Sequence, residues 1–166
     1  MMHNVLGVIL AREGSKGIKL KNLVKVNNIS LIKRTIFVSK SSKYINKLIL
    51  STESKKIIDH VKSTKIEIPF VRSKKLATDK SNTFDVVRDA LQKCEKIFKT
   101  KYDLVVILQP TTPFRKVSTI DKAIFNLIKK NADASMSIVK SNYPPQWSIT
   151  MNNQNKLKHI NRHGKN

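Results

Sequence analysis

The sequence predicts an α/β protein with an open, mostly parallel sheet and helices on both faces. Three observations favour this class. Short apolar runs alternate with segments of helical periodicity over about 140 residues, which is typical of chains that build parallel sheets. The length of 166 residues suits one domain with one core. The hydrophobic share of 40% is too high for a disordered chain.

The first half of the chain contains three predicted strands and two predicted helices. Residues 5–10 read Val-Leu-Gly-Val-Ile-Leu, an apolar run typical of a strand buried on both faces. Ser30 can cap a helix that continues to about residue 39. The remaining predicted elements here are a strand at 48–50, a helix from about residue 54 and a strand at 66–71, where Pro69 favours an edge position.

The second half contains the clearest helix, at 83–98. Its apolar residues recur at steps of three and four, and we expect them to face the sheet; they are Phe84, Val87, Leu91, Cys94 and Phe98. A central strand at 104–108 follows. Residues 118–121 resemble a capping box that opens a helix to about 128, with Phe125 also expected in the core. The last predicted elements are a fifth strand at 134–139 and a hairpin of 148–151 with 156–160.

The chain carries a formal net charge of +22, which raises the question of a nucleic-acid partner. Of its 33 basic residues, 27 are Lys and only six are Arg, and the lysines are spread along the whole chain. Arg rather than Lys makes the bidentate contacts of base recognition. We therefore expect a solvated basic surface that attracts small anions such as nucleotides, and nucleic acid is the less favoured partner.

Several other classes are disfavoured. No apolar run approaches the roughly 18 residues that cross a bilayer, so we expect no membrane partner. The first residues do not resemble a secretory leader, and Cys94 stands alone, which rules out an intrachain disulfide framework. A cytoplasmic location is expected.

In open α/β sheets, ligands bind beyond the carboxyl ends of the strands. The loop after the first strand suits a polyphosphate, because Gly14 and Gly17 let backbone N–H groups approach an anion and Arg12, Lys16 and Lys21 bring positive charge. The spacing matches neither the Walker A loop nor the dinucleotide-binding glycine pattern. An ordinary basic turn is the alternative interpretation of these residues taken alone.

Three segments together resemble the acylneuraminate cytidylyltransferases, also called CMP-sialic acid synthetases. Residues 11–22 read Ala-Arg-Glu-Gly-Ser-Lys-Gly-Ile-Lys-Leu-Lys-Asn, close to the N-terminal signature of that family. Residues 72–79 read Arg-Ser-Lys-Lys-Leu-Ala-Thr-Asp, and residues 108–115 read Leu-Gln-Pro-Thr-Thr-Pro-Phe-Arg. The three occur in the family's order with family-like spacing, and the resemblance covers about residues 4–139.

The resemblance implies a Rossmann-like nucleotidyltransferase fold and transfer of CMP from CTP to a nine-carbon 2-keto sugar acid, with release of pyrophosphate. It implies catalytic roles for Arg12 and Lys21, which grip the triphosphate, and Mg²⁺ as cofactor. It places the sugar acid near Gln109 and makes a homodimer the expected assembly. The implied nucleotide-binding residues are Arg12, Gly14, Ser15, Lys16, Lys21, Asn22, Arg72 (for the cytosine), Ser81 and Thr83. Asp79 is expected to bond to its own loop, and Arg115 to have a structural or dimer-contact role.

The resemblance fails after residue 139. Residues 140–166 diverge and correspond to the start of a sugar-binding and dimerisation region, so we expect a single domain over 1–166 that is incomplete at its C-terminus. The family's metal-binding aspartates match nothing in this sequence, and no metal ligand is identified. Three functions remain open: a cytidylyltransferase, a non-catalytic CTP-binding remnant or one half of a split cytidylyltransferase, and a basic nucleic-acid-binding protein.

Overall fold

The computed structural model describes residues 3–14, 17–140, 142 and 149–159. Two compact units divide the chain, Met1–Ser135 and Met136–Asn166. The first unit contains a three-stranded parallel sheet in the order β4–β1–β5, formed by β1 (Val5–Leu10), β4 (Lys47–Ser51) and β5 (Leu104–Leu108). In register, Val8 lies opposite Ile49 of β4 and Ile107 of β5. The predicted α/β class with a parallel sheet is thereby confirmed.

Within the described residues, four helices cover the sheet on both faces, namely α1 (Leu31–Lys40), α2 (Lys55–Val61), α3 (Thr83–Phe98) and α4 (Val117–Lys130). Helices α1, α2 and α4 bury Ile36, Val61 and Ile120 with Val5 and Ile9 of β1. Helix α3 buries Ala90 and Cys94 against Leu6 and Val8 on the other face. Alternate residues of β1 therefore supply two separate cores, as expected for a strand buried on both faces.

Short elements complete the first unit. The hairpin of β2 (Lys25–Val26) and β3 (Ile29–Ser30) turns at Asn27 and Asn28, which both have positive φ and which sequence analysis did not single out. Three 3₁₀ turns lie at Lys21–Leu23, Lys62–Thr64 and Lys74–Ala77. The second unit contains a hairpin of β6 (Ile149–Met151) and β7 (Leu157–His159), which confirms that prediction; residues 148 and 160 of the predicted hairpin lie outside the described ranges.

Two predicted strands are wrong. In the described part of the chain, residues 66–71 make only one bridge, between Glu67 and Ile49 of β4, and no ladder follows it. The next backbone bond to this side is from Arg72 N to Thr52 O at 2.9 Å, beyond the end of β4. Residues 134–139 form no strand, and Met136, Ile138 and Val139 are more than 80% exposed. Among the described residues, nothing pairs with the outer edge of β5.

Smaller corrections concern helix starts and aromatic residues. Ser30 caps α1 as predicted, with its Oγ accepting from Lys33 N at 3.4 Å. The capping box at 118–121 is wrong, because α4 begins at Val117 and its N-cap residue makes no side-chain hydrogen bond. Phe84 and Phe125 are 70% and 46% exposed and not in the core, whereas Phe98 packs against it. In the described part of the chain, no helix is long and apolar enough to cross a membrane.

Candidate functional site

A cavity of about 380 Å³ opens at the carboxyl ends of β1 and β5. Three segments form the walls of the cavity: the segment after β1, the loop at 109–111 after β5, and the stretch from Arg72 to the first turn of α3. This is the position that parallel α/β sheets give to ligands. The lining residues are Leu10, Arg12, Gly17, Lys21, Asn22, Arg72, Leu76, Thr78, Asp79, Ser81, Thr83, Val86, Gln109, Pro110 and Thr111.

Seven of the residues predicted for the site line this cavity. They are Arg12, Lys21, Asn22, Arg72, Ser81, Thr83 and Gln109. Gly14 does not line it, and Ser15 and Lys16 lie outside the described residues. Residues from three segments that are well separated along the sequence thus meet at one cavity, as the motif spacing predicted.

Hydrogen bonds to the backbone of residues 11–13 tie this segment to Ser51, Asn22 and Glu53. Ala11 N donates to Ser51 O at the end of β4 at 3.2 Å. The Asn22 side-chain amide, which is buried, donates to Arg12 O at 2.9 Å. Glu13 N donates to Glu53 Oε1 at 2.7 Å. These bonds fix the chain where the buried strand becomes the loop that carries Arg12 into the cavity.

Arg72 is buried, with only 5% of its surface exposed. Its guanidinium donates to Ser51 Oγ at 3.1 Å, to Ala11 O at 3.3 Å and, more closely, to Ser51 O. It therefore joins the ends of β1 and β4 directly beneath the cavity. Burial lowers the pKa of the Arg72 guanidinium, an effect that the charge of Glu53 partly opposes. Sequence reasoning did not anticipate this structural role.

The Arg12 side chain pairs with Asp79 across the cavity, with Nη2 2.6 Å from Oδ1. Asp79 belongs to a loop that is organised by Ser81, whose Oγ accepts from Thr78 N at 3.1 Å and donates to Lys75 O at 3.1 Å. The ion pair was not predicted, because the two residues are far apart in sequence. An incoming anion would compete with Asp79 for the Arg12 guanidinium.

Lys21 reaches the cavity through an uncommon backbone turn. Leu20, the residue before it, has φ 52° and lies in the left-handed region, where a side chain other than that of glycine is disfavoured. The 3₁₀ turn Lys21–Leu23 follows at once, and both Lys21 and Asn22 line the cavity. Strained residues of this kind are frequent at functional sites, and periodicity alone gives no signal for them.

Gln109 lies at the end of β5 and is supported by Arg115, whose Nη2 donates to Gln109 O at 3.0 Å. Arg115 Nη1 is buried with no hydrogen-bond partner among the described residues, and burial lowers the pKa of this guanidinium. The contact agrees with a structural role for Arg115. It fixes the loop on which Gln109, Pro110 and Thr111 line the cavity.

The charges on the cavity wall favour an anion. Arg12, Lys21 and Arg72 are cationic, and Asp79 is the one carboxylate among the lining residues. Within the described ranges, no group of three or more His, Cys, Asp or Glu side chains could hold a metal ion. Asp79 alone, paired with Arg12, does not make a magnesium site, so these residues do not fit the Mg²⁺ that the resemblance implied.

The fold and the site together define an α/β protein with an anion-binding cavity at the carboxyl edge of its sheet. The cytidylyltransferase family model matches residues 6–165, and the chain belongs to this family. The match continues beyond residue 139, where sequence analysis found divergence. The predicted resemblance is confirmed.

Curated relatives agree with this assignment. The chain is 34% identical over 153 residues to CMP-N,N'-diacetyllegionaminic acid synthase of Legionella pneumophila, covering 92% of this chain and 65% of that protein. It is 30% identical over 148 residues to N-acylneuraminate cytidylyltransferase of Escherichia coli, covering 88% and 34%. The chain thus spans less than two thirds of the length of these relatives.

Solved structures confirm the fold. CMP:2-keto-3-deoxy-manno-octonic acid synthetase complexed with CTP superposes with a TM-score of 0.65 at 15% identity, covering 78% of this chain and 49% of that one. A cytidylyltransferase from Leptospira borgpetersenii gives 0.59 at 18% identity, covering 76% and 50%. At these identities the likeness shows the Rossmann-like nucleotidyltransferase fold alone.

Proposed function

We propose that the cavity binds CTP and that the protein takes part in the transfer of CMP to a nine-carbon 2-keto sugar acid, with release of pyrophosphate. One observation carries the proposal: seven residues predicted from three separate motifs line one cavity at the carboxyl edge of the sheet. The names of the relatives support CMP transfer to acids of the sialic, legionaminic and pseudaminic type.

The charges suggest how CTP lies in the cavity. The Arg12 guanidinium can fork two phosphate oxygens, and Lys21 supplies a point charge. Both residues are within one loop segment, so they suit neighbouring phosphates. Arg72 Nη1 makes no hydrogen bond among the described residues, and Arg72 lines the cavity. Its donors suit the acceptor atoms on the Watson–Crick edge of cytosine, next to Ser81 and Thr83.

The reaction places definite demands on these residues. The anomeric hydroxyl of the sugar acid attacks the α-phosphorus and loses its proton to water. The bond to the bridging oxygen of pyrophosphate breaks, and negative charge grows on the departing group. Arg12 and Lys21, held by the fold before reaction, stabilise that charge. Gln109, at the end of β5, is on the side from which the sugar acid would approach. The residues that line the cavity do not supply ligands for the Mg²⁺ that the resemblance implied, so no step is assigned to that ion.

Two alternatives remain, and one experiment distinguishes them from an active enzyme. The purified chain is mixed with CTP, MgCl₂ and sialic, legionaminic or pseudaminic acid, and pyrophosphate release is measured. A parallel reaction adds the C-terminal third of the Legionella relative as a separate polypeptide. Turnover by the chain alone indicates a complete enzyme, turnover only after addition indicates half of a split enzyme, and CTP binding without turnover in either indicates a binding remnant. A homodimer and a cytoplasmic location stay predictions.

A pair of variants separates CTP binding from general attraction of anions. Arg12→Ala removes a cation from the cavity, and we expect it to weaken CTP binding by about 10- to 100-fold, as for loss of a charge-assisted hydrogen bond. The control is Lys129→Ala with Lys130→Ala, which removes two exposed charges at the end of α4. A larger loss in the control would favour the basic, nucleic-acid-binding protein.

A further inference from the structure

Two carboxylates lie beside the loop that carries Arg12, although the proposed ligand is an anion. They are Glu13, the residue next to Arg12, and Glu53, which follows β4. Neither lines the cavity. Negative charges so near a triphosphate weaken its binding by repulsion. The hydrogen bonds of the two carboxylates indicate which structural role they have beside the site.

Glu13 is turned away from the cavity towards α2. Ser54 Oγ donates to Glu13 Oε2 at 2.6 Å, and Lys56 Nζ lies 2.9 Å from Oε1. The hydrogen bond from Ser54, then that from Lys56, lowers the pKa of the Glu13 carboxyl. Ser54 is also the N-cap of α2 and accepts from Ile57 N. The Glu13 side chain is therefore tied to the start of a helix that packs into the core through Ile57.

Glu53 holds the backbone of the same residue. Its Oε1 accepts from Glu13 N at 2.7 Å, and its Oε2 is buried without a hydrogen-bond partner in the described part of the chain. Burial of a carboxylate oxygen without a partner costs free energy, and the hydrogen bond that Oε1 accepts offsets part of this cost. This bond adds to the hydrogen bonds of Ala11 N and Arg12 O, which also hold residues 11–13.

Gly14, the residue that follows this segment, has open space around its α-carbon. Apart from its own chain neighbours, no described atom lies within 4 Å of where a Cβ on Gly14 would stand, and the same holds for Gly17. Among the hydrogen bonds to the backbone of residues 11–14, the one from Glu13 N to Glu53 lies furthest along the chain. It holds the residue next to Arg12 and so restrains the backbone from which the Arg12 side chain extends.

We infer that Glu53 is a positioning residue of the nucleotide site: its carboxylate holds the backbone N–H of Glu13 and so fixes the segment from which Arg12 enters the cavity. The inference deepens the proposed function and rests on it. Without the anchor, the segment must be ordered when the triphosphate binds, and that ordering lowers affinity. The accepting oxygen matters for this role, and the charge of Glu53 does not.

The test compares Glu53→Ala, Glu53→Gln and the control Glu67→Ala. Within the described ranges the Glu67 carboxylate pairs with Lys47 at 2.9 Å, and Glu67 does not line the cavity. CTP affinity is measured by calorimetry, and exchange of the Glu13 amide hydrogen by NMR. We expect Glu53→Ala to weaken CTP about tenfold, or ~1.4 kcal/mol, and to speed amide exchange of Glu13 at least about tenfold, because the N–H has lost its acceptor. Glu53→Gln keeps an acceptor oxygen and should remain within about threefold of the unmodified chain on both readouts. Glu67→Ala should change neither.

Each outcome either supports or overturns the role of Glu53 as a positioning residue. Equal CTP affinity in Glu53→Ala and the unmodified chain overturns the inference, while binding by the unmodified chain upholds the proposed function. Equal losses in Glu53→Ala and Glu53→Gln overturn the hydrogen-bond role, because charge would then be what matters. Absence of CTP binding in the unmodified chain overturns the proposed function, and the inference with it. Should Glu53→Ala not fold, Glu53→Met, which keeps the length of the side chain without a carboxyl oxygen, takes its place with the same expected results.

Discussion

Replacing Arg72 with lysine tests whether this residue holds the end of the sheet together beneath the cavity. The guanidinium donates to Ser51 Oγ, Ser51 O and Ala11 O, and so bonds to two strands at once. A lysine keeps the charge but has one nitrogen in place of a fork, so it cannot reproduce this geometry. We expect it to keep one of the three bonds.

The loss can be estimated from these contacts. Each hydrogen bond from a charged donor contributes about 1.5–3 kcal/mol, so two lost bonds amount to roughly 3–6 kcal/mol. The lysine ammonium is still charged and is more strongly hydrated than the guanidinium, so its burial returns none of this free energy. We take the lower end of the range, ~3 kcal/mol, as the expected loss. For a chain of this size that corresponds to a fall in Tm of about 6–12 °C. CTP affinity should fall as well, because Arg72 lines the cavity.

Thermal unfolding followed by circular dichroism measures the effect. Arg88→Lys is the matched control, since the Arg88 side chain is 70% exposed and lies 3.7 Å from Asp85 in the same helix. It should change the free energy of unfolding by less than about 0.5 kcal/mol. A Tm for Arg72→Lys within about 2 °C of the unmodified chain would refute the structural role assigned to Arg72.

Three further predictions concern the core and its titrating groups. Burial raises the pKa of the Cys94 thiol to about 11, so Ellman's reagent at pH 8 should leave the folded chain unmodified and react only in urea. Burial and, to a smaller extent, two nearby lysines lower the pKa of His60 below its usual 6.5. The unfolded chain therefore binds the proton more tightly, and the free energy of unfolding should fall as the pH drops through 6.5. His60→Gln should flatten that dependence on pH. A Cβ on Gly7 would stand 2.7 Å from Leu48 Cδ1, so Gly7→Ala should cost about 1–3 kcal/mol in urea unfolding, and an unchanged midpoint would contradict the packing described between β1 and β4.

The sequence was most informative where an apolar run or stripe is buried. The strands at 5–10 and 104–108 and the helix at 83–98 were predicted at the bounds that the structure gives them. Phe84 shows where periodicity misleads. Helix α3 packs on the sheet through Ala90 and Cys94, which share a core with Leu6 and Val8. Ala90 is small, and a search for large apolar residues overlooks it.

The fifth predicted strand failed for a different reason. The run at 134–139 has strand-like residues, but a strand requires a partner, and in the described residues none pairs with this segment. Composition shows that a segment can form a strand and says nothing of whether an edge receives it. The same limit applies to 66–71, where the described residues form one bridge to β4 and no ladder.

For the site, the motifs named seven residues that line one cavity, but they gave no access to the contacts of these residues. Glu13 and Glu53 are 40 positions apart, and Arg72 and Ala11 are 61 apart. Pairings at such separations arise from the order of strands in the sheet, which brings the ends of β1 and β4 together. The anchoring roles of Glu53, Asn22 and Arg72 could therefore be found only in the folded chain.

The most direct test of the central claim is a calorimetric titration of the purified chain with CTP and MgCl₂ at physiological salt, with ATP and GTP as controls. We expect CTP-selective binding, since Arg72, Ser81 and Thr83 line the cavity together with Arg12 and Lys21. Equal, weak binding of all three nucleotides that disappears as salt is raised would contradict it, because the charge of +22 alone would then explain the attraction.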